Sequence, residues 1–236
     1  MIFYYYNPVL IAAAVLPALV LMGYVYRMDR LDKEPWPLLL SLMIQGVVST
    51  ALAVFAERLG MRLLGGLAAE NTWTYQIIAN FIVVGLSEEG FKYLLLKQRT
   101  WLSPAFNCQF DGVVYAVFVS LGFALWENID YVVMYGFSAA MVRSVTAVPG
   151  HACFGVFMGA WYGIAKRYEL YGYERESRRS RWLCVIVPAV IHGCYDFIAS
   201  LESEYFVLVF LAFVIVMFIT ALHFVKRVSK DDQYMQ

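Results

Sequence analysis

The stretch IIANFIVVGLSEEGFKYLLL, residues 77–96, sets Glu88, Glu89 and Lys92 inside a run that is otherwise apolar. About 20 helical residues at ~1.5 Å each cross the hydrocarbon core of a bilayer. An ionised side chain placed there costs ~2.5–3.5 kcal/mol unless it meets a partner or a wet cavity. Three such residues within two turns therefore mark a site, and the rest of the chain reads as its housing. Glu88 and Lys92 stand four apart on one helical face, in the favourable Glu-to-Lys order, while Glu89 points about 100° away. One carboxylate is thus expected to be held by Lys92 and the other to stay available. An inert pair that only fixes helix packing would not need two adjacent carboxylates.

The composition around that stretch is 61% hydrophobic and 15% charged. It predicts an all-α, polytopic transmembrane helix bundle, a single integral-membrane domain over residues 1–236 with its catalytic core at about 75–200. Seven spans are expected, at Pro8–Tyr26, Pro37–Ala56, Tyr75–Leu96, Gly112–Met134, Val148–Ala165, Leu183–Ser200 and Tyr205–Val225. Fourteen of the 18 basic residues fall in alternate links, Arg58, Arg62 and Arg143 in the others, and Lys92 is embedded. The positive-inside rule then places the N-terminus outside and the C-terminus in the cytoplasm. Tyr4, Tyr5 and Tyr6 suit the outer interfacial belt, and no charged region precedes the first span, so no cleavable signal peptide is expected. Cys153, Cys184 and Cys194 lie within spans and Cys108 in a link, which gives neither a disulfide framework nor zinc-finger spacing. No motif points to nucleic acid, and none cradles a phosphate. The partner surface that composition implies is the lipid bilayer.

Further polar residues punctuate the later spans. Asp111 suits a helix N-cap. Glu127, in Phe123-x-x-x-Glu127-Asn128, is a second buried carboxylate on another helix. His151 opens the fifth span and recurs with Gly155, Gly159 and Gly163 on a ridge that lets a neighbouring helix approach closely. His192 and Asp196 are one turn apart, so the carboxylate can orient the ring. The segment Tyr135 to Ala147 is too short and polar to span, and Glu57 to Thr74 reads as a semi-apolar outer loop. Counted along the spans, Glu127, His151, His192 and Asp196 fall roughly 5–12 Å below the outer boundary and Glu88 and Glu89 roughly 17–20 Å. Helix tilt closes that gap, so one cavity is expected, lined by the third to sixth spans and open to the outside.

Carboxylates and imidazoles in a wet intramembrane cavity are the parts for hydrolysis. A glutamate takes the proton from water, and either a metal ion or hydrogen-bonding side chains stabilise the oxyanion. No Gly-x-Ser-x-Gly supports a serine nucleophile, and no paired intramembrane aspartates support an aspartyl mechanism. The competing readings are a proton-coupled carrier, which the lack of an internal repeat disfavours, and a non-catalytic membrane scaffold.

Taken in order, Glu88-Glu89-x-x-Lys92, Phe123-x-x-x-Glu127-Asn128, His151-Ala152 and His192-x-x-x-Asp196 on four successive spans resemble the PrsW family of intramembrane proteases. Phe110-Asp111-Gly112 and the Asp32/Pro35 link resemble it too, and the likeness covers about residues 30–200. The wider group of CAAX-prenyl endopeptidases and bacteriocin-processing enzymes differs: an Arg usually follows its double Glu, a His stands where Glu127 is and an Asn where Asp196 is. The resemblance implies a multi-pass protease of the bacterial cytoplasmic membrane that cleaves a single-pass membrane protein near its extracytoplasmic side. An anti-sigma factor, cut first in a stress-signalling cascade, is the typical substrate. In this reading Glu88 or Glu89 activates water and Lys92 tunes that pair. Glu127, His151 and His192, with Asp196 beside them, either bind zinc, for which a His/His/Glu set with an open position is suited, or position the carbonyl.

Overall fold

A computed structural model describes residues 8–70, 72–201 and 203–235 of the chain. Tyr4, Tyr5 and Tyr6 lie outside the described residues. The elements are helices α1 (Pro8–Met28), α2 (Trp36–Gly65) and α3 (Trp73–Ile77), a π-helical segment (Ile78–Leu86), then α4 (Ser87–Thr100), α5 (Asp111–Tyr135), α6 (Phe137–Val145), α7 (Ala147–Leu170), α8 (Glu174–Ala199) and α9 (Glu204–Lys230). No strand occurs among the described residues; an isolated antiparallel bridge between Cys108 and Tyr234 ties down the C-terminal tail. The all-α bundle expected from composition is therefore the observed fold.

Because α3, the π segment and α4 run on without a break, the chain has seven long helical units among the described residues. Five of them, α1, α2, α5, α8 and α9, are long and apolar enough to cross a membrane. The other two, residues 73–100 and α7, carry Glu88, Glu89, Lys92 and His151. Several elements differ from expectation. Helix α2 continues to Gly65 through half of the stretch read as an outer loop, because nothing breaks it before Gly65-Gly66 and Leu64 packs on Ala79 and Val83 of the π segment. Asp111 is the first residue of α5 rather than its cap: its Oδ2 accepts the backbone N–H groups of Asn107 and Cys108 at 2.9 and 2.6 Å, holding the preceding turn.

Helix α5 is the axis of the bundle, with every residue from Asp111 to Ala124 buried. Outer helices turn large apolar side chains outward instead, as Phe55 at 72% exposure and Leu208 at 67% illustrate. That inverted pattern suits a lipid surround, where apolar side chains need no cover and every backbone group is satisfied within its helix. The small-residue ridge of α7 meets α5 as its spacing predicts. A Cβ built on Gly159 would stand 2.4 Å from the Cα of Val113, and one on Gly163 2.2 Å from the Gln109 carbonyl oxygen. Both obstacles are backbone, so neither can swing aside. Gly159→Ala is expected to lower the apparent melting temperature of the detergent-solubilised protein, by the ~1–3 kcal/mol of an overpacked core. Gly23→Ala, where a Cβ meets nothing within 4 Å, is the control, and should be neutral or stabilising.

Candidate functional site

The double-glutamate turn follows directly on the nine-residue π segment, a rare form that widens the helix and re-aims what comes after it. The segment lies against α8 at glycine distance: a Cβ on Gly193 would stand 2.5 Å from the Phe81 ring, and one on Gly85 2.8 Å from the Ala189 carbonyl oxygen. This close approach carries His192 onto Glu89.

Lys92 is fully buried, and its ammonium stands amid the acidic and imidazole groups. Its Nζ is 3.1 Å from Glu88 Oε2, 2.7 Å from Glu89 Oε1 and 3.1 Å from His151 Nδ1, and 3.9 Å from the centre of the Phe123 ring. The expectation that Lys92 holds one carboxylate and frees the other is thereby corrected. Glu89 bends back far enough for both to reach the same ammonium. What separates the two glutamates is access. Glu88 lines a cavity of about 430 Å³, whereas Glu89 is fully buried and its Oε2 has no hydrogen-bond partner.

Each histidine is held between an inner and an outer partner. His151 turns Nδ1 to Lys92 and gives Nε2 to Glu127 Oε2 at 2.9 Å. His192 turns Nδ1 to Glu89 Oε1 at 3.1 Å and Nε2 to Asp196 Oδ2 at 3.3 Å. The two rings meet edge to face at 5.3 Å, and Phe154 stacks on His192 at 4.5 Å. A carboxylate on the outer nitrogen fixes both the tautomer and the ring plane of a ligating histidine, and both rings have one. One donor atom each from Glu88, Glu89, His151 and His192 lies within 4.8 Å of the others. Glu127, expected among the ligands with the two histidines, is placed on the far side of His151, where Arg143 Nη2 also holds its Oε2 at 2.9 Å. The carboxylates on the inner side of the rings are Glu88 and Glu89.

The seven residues singled out in the sequence, Glu88, Glu89, Lys92, Glu127, His151, His192 and Asp196, thus form one connected cluster. Others escaped the sequence reading. Glu57 from α2, Asn80 from the π segment, Tyr131 from α5, Arg143 from α6 and Tyr195 from α8 also line the cavity, so more helices contribute walls than the expected four spans. Arg143 is a clamp: besides Glu127, its Nε donates to Asn128 Oδ1 at 3.1 Å and its guanidinium covers the Tyr131 ring at 3.9 Å. The available signal was its isolation, as the lone cation of a short helix between two spans. The cavity lies toward the bundle end where α2, α5 and α8 finish and α7 begins, away from the arginine-rich links.

This arrangement, an acidic pair and two carboxylate-held imidazoles around one buried point, holds the groups that hydrolysis can use. A family model described as PrsW family intramembrane metalloprotease matches residues 34–222. Protease PrsW of Bacillus subtilis is 33% identical over 208 residues, 86% of this chain and 89% of that protein. The Protease PrsW sequences of Shouchella clausii and Clostridioides difficile are 32% and 29% identical over 226 and 208 residues, covering 94% and 86% of this chain and 97% and 84% of theirs. No solved structure matches. With a family model matched over most of its length and relatives covered nearly end to end, this chain belongs to the PrsW family of intramembrane metalloproteases, a multi-pass protease of the bacterial membrane rather than a carrier or an inert scaffold.

Proposed function

We propose that the chain hydrolyses a peptide bond of a single-pass membrane protein within the Glu88 cavity, near the extracytoplasmic surface, with an anti-sigma factor as the substrate type. The observation that carries this reading is the convergence of Glu88, Glu89, His151 and His192 on one point beside a polar cavity. The distribution of basic residues supports the outward position, since the cavity lies toward the end of the bundle opposite the links that carry most of them.

The donor set suits zinc, with two imidazole nitrogens and a carboxylate oxygen. The inner donors already surround a cation, the Lys92 ammonium, and Glu89 Oε2 is a buried oxygen with nothing to accept from. When bound, zinc would polarise the scissile carbonyl and ease deprotonation of water. His151, His192 and Glu89 would hold it, with the fourth position left open for water. Glu88 is the inner carboxylate that borders the cavity, so it takes the proton from water and returns it to the leaving amine. Lys92 balances the charge of the pair, and Glu127 and Asp196 keep the inner nitrogens of the rings available. A test is cleavage of a single-pass substrate by the pure enzyme in liposomes, with and without 1,10-phenanthroline. Activity should fall at least ~10-fold and return on adding zinc, the scale of lost metal binding. Full activity under chelation would leave the glutamates to work without a metal. Asp196→Asn should weaken activity by ~10–100-fold without removing it, because it acts through His192.

A further inference from the structure

A second group of carboxylates lies at the opposite end of the bundle from the catalytic cavity. Asp29 and Glu34, in the link between α1 and α2, are only 1% and 4% exposed, and Asp111 at the start of α5 is fully buried. Asp29 feels the charges of Asp232 and Asp32, while Glu34 feels those of Asp29 and Asp32 and hydrogen-bonds Asp111. Burial of so many carboxylates normally requires cations or hydrogen-bond donors, yet some of the oxygens here lack donors. Both Asp29 Oδ atoms, Glu34 Oε2, Asn107 Oδ1, Asp111 Oδ1 and Asp232 Oδ2 are buried without a hydrogen-bond partner.

The pattern within the group points to a ligand. Asp111 gives its Oδ2 to the backbone N–H groups of Asn107 and Cys108, and Asp232 gives its Oδ1 to that of Phe110 at 3.0 Å. Each is pinned through one oxygen and presents the other, as ligands held by an outer shell do. The neighbouring ammonium does not fill the gap. Lys33 Nζ donates to the carbonyl oxygens of Tyr26 at 2.5 Å, Arg27 at 3.5 Å and Asp29, at the C-terminal end of α1. Of the other titratable neighbours, Tyr115 and the Asp111 carboxyl hydrogen-bond Glu34, and neither they nor Cys108 bring a positive charge.

We propose that Asp29, Glu34, Asp111 and Asp232, with the Asn107 side-chain carbonyl, form a binding site for a partly hydrated divalent cation of the Mg²⁺ class. The donors are all oxygen, as hard cations require, and they come from three separate segments. They are gathered less tightly than the Glu88 group, the one cluster among the described residues whose donor atoms all lie within 4.8 Å of one another. That looser spacing suits Mg²⁺, which dehydrates reluctantly and keeps several waters, over Ca²⁺, which takes six to eight direct ligands. Bound there, the ion would join the α1–α2 link, the turn before α5 and the C-terminal tail, which Met235 N–H to Asn107 O at 2.7 Å and Ser229 Oγ to Met28 O already bring together.

The test is thermal unfolding of the full chain in detergent after chelation, at pH 7.5, titrated with Mg²⁺ and separately with Ca²⁺. Mg²⁺ should raise the melting temperature saturably by roughly 5–10 °C at a hundredfold excess over its dissociation constant. Glu88→Gln should keep that rise, and Asp29→Asn and Glu34→Gln should lose it. Both amide variants should also melt above the chelated wild type, since they remove buried charge, whereas residues of merely structural value would melt below it. Paramagnetic Mn²⁺ read by EPR gives a second count of the site if either variant folds poorly. No response to Mg²⁺, a stronger response to Ca²⁺, or a rise that Glu88→Gln abolishes would each overturn the proposal.

Discussion

Replacing Glu88 with glutamine should reduce cleavage by at least ~10³-fold while the protein still folds and inserts. The variant keeps the shape of the side chain and loses the one carboxylate that both borders the cavity and reaches Lys92, at 3.1 Å. Loss of a general base alone accounts for ~10²–10⁴-fold. Glu89→Gln should be as inactive for a different reason. Glu89 is the shared acceptor of Lys92 at 2.7 Å and His192 at 3.1 Å, and an amide there leaves a buried ammonium with half its counter-charge. Uncompensated buried charge costs several kcal/mol, so Glu89→Gln should also lower the melting temperature, which Glu88→Gln should do less. Cleavage rates in liposomes together with thermal unfolding separate the two. Equal activity of either variant and the wild type would remove that residue from the chemistry.

His151→Ala is expected to have the second largest effect, and it tests the proposed zinc site directly. The ring is the one group that touches both the Lys92 ammonium and the Glu127–Arg143 pair. Its loss should abolish activity and take zinc content, measured by mass spectrometry on the pure protein, from near one per chain to near zero. Glu127→Gln leaves the ring in place and alters only its outer partner, so it should retain zinc with ~10–100-fold weaker affinity. If Glu127→Gln lost zinc as completely as His151→Ala, Glu127 would be a ligand in its own right and the inner carboxylates would not suffice.

The sequence disclosed the cluster because ionisable residues inside apolar runs are conspicuous, and helical spacing alone paired His192 with Asp196. It disclosed the α7 ridge for the same reason, through a period of four. It could not say on which side of an imidazole a carboxylate from another helix would stand, since that depends on how α5 crosses α7; Glu127 was accordingly set among the ligands. Glu57 and Arg143 were invisible as site residues because each was read into a surface segment. Their place is set by α2 running on to Gly65 and by α6 folding back so that Arg143 reaches the cavity, both tertiary outcomes. The link around Asp29 reads as a charged turn and Asp111 as a cap, and only the fold shows that their carboxylates are buried together.

The π segment makes the distance from the cavity rim to the double glutamate a matter of winding. A helix wound one residue looser per hydrogen-bonded ring can tighten to the ordinary winding only by turning what precedes it around the axis. Shortening residues 78–86 by one would swing Phe81 out of its seat against Gly193 and Asn80 out of the cavity wall, so a deletion there is felt at His192 although it touches no ionisable group.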